Sequence, residues 1–254
     1  MRTSLRIASA AVVAAVPMAL LPTAAQADHA NGTYSARLDQ VNNSGGSGMV
    51  TVSIDDDQAT VNLSYSGLAE QFDGGPYPHV QHIHIGGQGV CPTPADDANG
   101  DGIVNTPEGG PSYGDIGTTL SSKGSTGPEE GTNLELAQTG GSTEYSRTFT
   151  MIDDTLDALA NGSGVVVVHG LDPAGLSKEA QNAKSPLVPS LPQAATAPAL
   201  CGALGGMPSG GVATGTGSTA GVENLGMVGA GAGLALAGGA IYTVRRRREA
   251  DAAV

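Results

Sequence analysis

The stretch His79-Val80-Gln81-His82-Ile83-His84-Ile85-Gly86-Gly87-Gln88-Gly89-Val90-Cys91, set beside Val165-Val166-Val167-Val168-His169-Gly170 and Leu200-Cys201-Gly202, decides how this chain is read. Side chains alternate across a strand, so His82 and His84 share one face, where two imidazoles can grip one metal ion. Paired strand histidines also occur as plain surface or core residues, and these two alone fit either reading. A third imidazole, His169, closes a run of four valines that reads as another strand.

Working outward, β-branched alternating runs recur at 33–38, 49–54, 59–65, 79–85, 118–121, 145–151 and 165–169, punctuated by Gly, Asn, Asp and Ser. Short strands at this spacing predict an all-β fold, one antiparallel Greek-key β-sandwich or barrel over 28–204. A connecting helix is expected at 154–160, capped by Asp153 or Asp154 and stopped by Asn161-Gly162.

The ends of the chain read as addresses. Arg2 and Arg6, an apolar stretch over 7–21 and Ala25-Gln26-Ala27 form a secretory signal peptide, 1–27, cut after Ala27. Residues 205–224 are a Gly/Ser-rich tether. The uncharged 225–244 suits one transmembrane helix, and Arg245 to Arg248 hold the short tail, 245–254, in the cytoplasm. The expectation is a single-pass type I membrane protein with its domain outside. A glycine-rich span also fits the removable tail of a cell-wall sorting signal, although no Leu-Pro-x-Thr-Gly precedes it.

Charge and cysteines narrow the function classes. Residues 28–224 carry five basic against 22 acidic side chains, a formal −17. That surface argues against nucleic acid and anionic lipid headgroups, and repels anions at long range. Cys91 and Cys201 are the only cysteines of an exported chain, and a disulfide between them is expected. Closing so long a loop is worth about 4 to 5 kcal/mol in the chain-entropy model. No triad-type constellation, phosphate-cradling glycine loop or CxxC motif appears.

Residues 97–108, Asp-Ala-Asn-Gly-Asp-Gly-Ile-Val-Asn-Thr-Pro-Glu, match the full D-x-[DN]-x-[DN]-G-x5-E calcium pattern. Asp97, Asn99, Asp101 and Glu108 would supply side-chain oxygens, Ile103 its carbonyl, and Asn105 a ligand or a bound water. Pro92 and Pro94 before it, with Pro107 and Pro111 at its end, predict an isolated loop without flanking helices. Extracellular calcium sites of this type bind at about 10⁻⁴ to 10⁻³ M. The same residues also make an ordinary solvated acidic turn.

In their order, His82-x-His84, Cys91, the valines before His169, and Cys201-Gly202 resemble the extracellular copper/zinc superoxide dismutase family and the related CHRD domains. Ser66-Gly67-Leu68 precedes the histidine strand as in that family, and the likeness spans about 33–204. It implies His82, His84 and His169 as copper ligands, His79 as a structural histidine, and the Cys91–Cys201 bridge as the tie between a long loop and the last strand. The departures are equally specific. No histidine lies between His84 and His169, Ser112 stands at an expected zinc histidine while Asp115 matches the zinc aspartate, and Pro198 replaces the guiding arginine.

The implied identity is a secreted, membrane-anchored bacterial member with a degenerate zinc site, where zinc is not expected. Its function is then a cell-surface metal-binding module, holding copper and calcium, without efficient catalysis. The alternative is an extracellular copper-dependent superoxide dismutase, and a third class is a metal scavenger or adhesion domain. No motif names a protein partner.

Overall fold

The structure is a computed structural model that describes residues 30–207. The signal peptide, most of the tether, the span and the tail lie outside the described residues. Among the described residues, no helix is long and apolar enough to cross a membrane.

Eight strands build the main sheet: β1 Gly32–Gln40, β2 Ser47–Asp55, β3 Gln58–Ser66, β4 Gln81–Gly86, β5 Gly114–Thr119, β6 Thr143–Thr150, β7 Val165–His169 and β8 Pro198–Ala203. Their spatial order is β6-β3-β2-β1-β8-β7-β4-β5, and every neighbouring pair is antiparallel. A further strand, Gly205–Gly206, extends the pairing of β1. The all-β antiparallel expectation is met.

The sheet curls because one core draws on both of its halves. Leu38, Val50, Val61 and Leu63 from one half meet Ile83, Val166, Val168 and Leu200 from the other. The two end strands, β6 and β5, are joined by a side chain. Arg147 of β6 donates to the Ser121 carbonyl at 2.9 Å and to its hydroxyl at 2.6 Å, just past β5, and also to the Gly124 carbonyl. Counting that seam as an adjacency, β7-β4-β5-β6 is a Greek key, with β7 returning to lie beside β4.

The two halves differ in how they face outward. β2 and β3 alternate buried and exposed residues, whereas every residue of β7 is buried. Val165 and Val167 form a second apolar layer on the outer face with Val41, Tyr113 and Cys201. Cys91 and Cys201 are bridged, with Cα atoms 5.8 Å apart, tying the segment after β4 to β8.

Among the described residues four α-helices complete the fold: α1 Thr106–Tyr113, α2 Asp153–Ala160, α3 Lys178–Asn182 and α4 Gln193–Thr196. Of these only α2 is predicted by the pattern, and its cap differs. Ile152 is the N-cap and makes no side-chain cap bond, while Asp153 and Asp154 sit in the first turn, where carboxylates favour the helix dipole. α1 corrects the expectation that no helix flanks 97–108. Asn105 accepts from the Glu108 amide and the Glu108 carboxylate accepts from the Asn105 amide, a capping box that starts a helix with Pro107 in its first turn. β5 also begins at Gly114, four residues before the predicted run.

Candidate metal centre

Register sets two histidines and strand parity the third. On β4, His82 pairs with Val167 and His84 with Val165, so both point to the outer face that Val165 and Val167 occupy. His169 ends β7 on the same parity, just past a register shift against β8 at Val168/His169. His82, His84 and His169 are buried, and their ligand-capable ring nitrogens lie within 4.8 Å of one another. Ring centroids are 5.2 to 5.8 Å apart.

Each imidazole is held by one backbone carbonyl, and each carbonyl comes from a different segment. His82 Nε2–H donates to Gly131 at 3.0 Å, His84 Nδ1–H to Gly114 at 2.9 Å, and His169 Nδ1–H to Thr196 at 2.7 Å. A carbonyl only accepts, so these bonds fix the tautomers. The lone pairs left over are on His82 Nδ1, His84 Nε2 and His169 Nε2. All three atoms are buried without a hydrogen-bond partner. Three converging, unpartnered acceptors with carbonyl-anchored opposite nitrogens are the arrangement by which proteins orient imidazoles toward a metal.

Electrostatics keep the rings neutral. Burial, then the neighbouring imidazoles, lowers His82 well below its ordinary value. Burial and His169 lower His84 to about 3, and burial lowers His169 to about 4. Neutral imidazole is the form that binds metals. The residues therefore fit a first-row transition ion, and imidazole donors suit copper, zinc and nickel.

Two glycines let the carbonyls approach. Gly114 has φ 92°, and a Cβ there would collide with the Ile85 carbonyl, so only glycine joins α1 to β5 at this spot. A Cβ on Gly131 would meet the Ile116 side chain and crowd His82 Nε2 at 3.4 Å. Neither carbonyl has a side-chain signature that sequence reasoning can find.

His79 stands apart from the triad. Its two ring nitrogens face the carbonyls of His169 at 2.9 Å and Ala69 at 2.9 Å, so it braces the chain beneath His169. Tyr77 packs tilted against it at 4.6 Å. Tyr113 packs edge-on to His84 at 4.6 Å and donates to the Thr106 carbonyl, linking α1 to the triad.

The residues predicted for calcium are placed differently. Asp97 accepts from the amides of Gly100 and Gly102, Asn99 from that of Asp101, and Asp101 from that of Ile103. Glu108 accepts from Ala98, Asn99 and Asn105. The Ile103 side chain is buried in the core. Among the described residues, the histidines are the one group of three or more His, Cys, Asp or Glu side chains whose ligand atoms converge. The loop still touches the centre's support: Gln193 of α4 donates to Asp101 at 2.9 Å, and Thr196 closes that helix.

A cavity of about 540 Å³ lies over the triad. It is walled by α1, by residues 128–134 and by residues 187–196, with Ser112 outside the lining and Asp115 exposed within it. Pro198, buried at the start of β8, pairs with His169.

No family model matches the chain, and neither does any curated protein. Among solved structures, it is similar to a mutant of superoxide dismutase 5 from Candida albicans, with 13% sequence identity and a TM-score of 0.40, covering 74% of this chain and 99% of that chain.

Proposed function

We propose that this chain is a cell-surface metal-binding module of superoxide dismutase-like or CHRD-like architecture, exported and held by one C-terminal span, whose centre at His82, His84 and His169 takes copper without efficient superoxide turnover. One observation carries the reading: three buried imidazole nitrogens converge with no hydrogen-bond partner while the opposite nitrogens are each anchored on a carbonyl. When bound, copper supplies a centre able to alternate between Cu(II) and Cu(I).

The chain's own residues bind and orient. Gly131, Gly114 and Thr196 aim the rings, and His79 braces the β7 end. What they do not supply is a cation for an anionic substrate: among the described residues no lysine or arginine lines the cavity, and Asp115 does. A superoxide ion entering from bulk meets repulsion from the acidic domain. Calcium on the 97–108 loop belongs to this proposal as a support for α1 and α4.

The alternative, an extracellular copper-dependent superoxide dismutase, draws on the cavity reaching all three histidines. One experiment separates the two: elemental analysis of the purified chain after exposure to copper, zinc and calcium, with a superoxide assay on the same sample. Stoichiometric copper lost in His82→Ala, with little superoxide removal, supports the module. Fast removal that disappears in His169→Ala installs the enzyme, and absence of copper overturns both.

A further inference from the structure

The cavity above the triad is larger and less polar than a dioxygen-sized anion needs. Its volume is about 540 Å³, against about 30 Å³ for a water in the liquid. Small-molecule pockets run from about 300 to 1,000 Å³, mostly apolar with a few placed polar groups. Here Pro107, Tyr113, Ile116, Leu134, Val188 and Leu191 make the walls. Leu134 and Leu187 stand 39% and 49% exposed at the lining, apolar surface that faces solvent.

Charge selects in the same direction. None of the five described cations, Arg37, Lys123, Arg147, Lys178 and Lys184, lines the cavity. Asp115 is the one carboxylate there, and it is exposed. At the floor sit His82, His84 and His169, each more than nine-tenths buried and each with an unpartnered nitrogen. A bound anion would find no counter-charge on the protein side, whereas an apolar body would gain about 25 cal/mol for each Å² it removes from water.

Building on the triad as a metal centre, we propose that this cavity selects a neutral, largely apolar small molecule bearing one nitrogen or oxygen donor, and discriminates against small anions. The donor atom meets the metal held by the histidines, and the body lies against Tyr113, Val188 and Leu191. Specificity then resides in the 187–196 segment and α1, which wall the space and touch the histidines through Thr196 and Tyr113.

The test uses the purified full chain after copper exposure, with metal content measured on the same sample and three probes titrated by calorimetry and by the copper electron paramagnetic resonance signal: 4-phenylimidazole, imidazole and azide. The expected result is that 4-phenylimidazole binds at least about tenfold tighter than imidazole, with azide the weakest. Val188→Lys should weaken 4-phenylimidazole about tenfold or more and strengthen azide at unchanged copper content. Leu187→Lys, at a more exposed position, should do the same to a smaller degree. Copper present with no advantage for the phenyl group, or with azide the tightest, overturns this proposal alone. A triad that holds no copper overturns the metal reading and this proposal with it.

Discussion

The two halves of the sheet are made of similar strands and do different work. In β1, β2, β3 and β6 one face packs on the core and the other carries Thr51, Ser53, Thr60, Asn62, Ser146 and Thr148 outward. In β4 and β7, and over the end of β5, both faces are covered, because α1, the 128–134 turn and the 187–196 segment lie over the outer side. A second covered face is what allows imidazoles to be dehydrated, aimed and left with free lone pairs. On the open half, the same histidines would be solvated and find water as partner.

The largest expected contrast is in metal binding. Replacing His82 or His169 by alanine removes a ligand and should lower copper affinity beyond the 10–100-fold typical of outer-shell changes, by about 10³-fold. Thr60→Ala and Asn62→Ala on the open half should leave it unchanged. Elemental analysis and competitive chelator titration check both, and equal losses on the two halves would erase the distinction.

Stability should follow the same division. Removing the Cys91–Cys201 bridge with paired alanines is expected to cost about 2–5 kcal/mol in urea unfolding, because it tethers a covering segment to β8. Val167→Ala, on the covered outer face, should cost about 2 kcal/mol from lost methyl burial and the cavity left behind. The equivalent outward change Thr51→Ala on β2 should stay within about 0.5 kcal/mol.

Acid should find the covered half first. His84 and His169 take up protons in the folded state only near 3 and 4, and His82 is likewise held well below its ordinary value. The unfolded chain protonates them near 6.5, so between pH 6.5 and 4 the unfolded state binds more protons. The metal-free chain therefore loses stability as pH falls through that window, by up to about 1.4 kcal/mol per pH unit for each histidine. A variant with all three histidines replaced by asparagine should show a flatter slope in melting temperature against pH, and an unchanged slope would place the acid sensitivity elsewhere.

The smallest effect is expected from calcium. At millimolar calcium, a site of about 10⁻³ M stabilises by about 0.4 kcal/mol, a rise of about one degree in melting temperature. Asp97→Ala should abolish that rise, and identical melting with and without calcium in the parent chain removes calcium from the proposal. The contrast with the triad is chemical: the loop's carboxylates already accept from its own amides, while the imidazole nitrogens accept from nothing.

Local periodicity carried most of the β structure. Runs such as Val50, Val52 and Ile54 announce a half-buried strand because the strand repeat is two, and the same repeat puts His82 and His84 on one face. The four valines before His169 announce another strand, and the structure buries both of its faces. α1 escaped that reading because its residues, Thr106–Tyr113, hold two glycines and two prolines, and a capping box overrides their poor propensity.

By itself, then, the sequence determined that His82 and His84 share one strand face and that Cys91 pairs with Cys201. Tertiary structure alone decided the rest: that His169 reaches His82 and His84, that Gly131, Gly114 and Thr196 orient them, that Arg147 closes the seam, and that an apolar cavity covers the site. The reason is physical. Alternation acts between near neighbours along the chain, whereas these features rest on backbone carbonyls and loop positions brought together from tens of residues apart, where side-chain identity leaves no local trace.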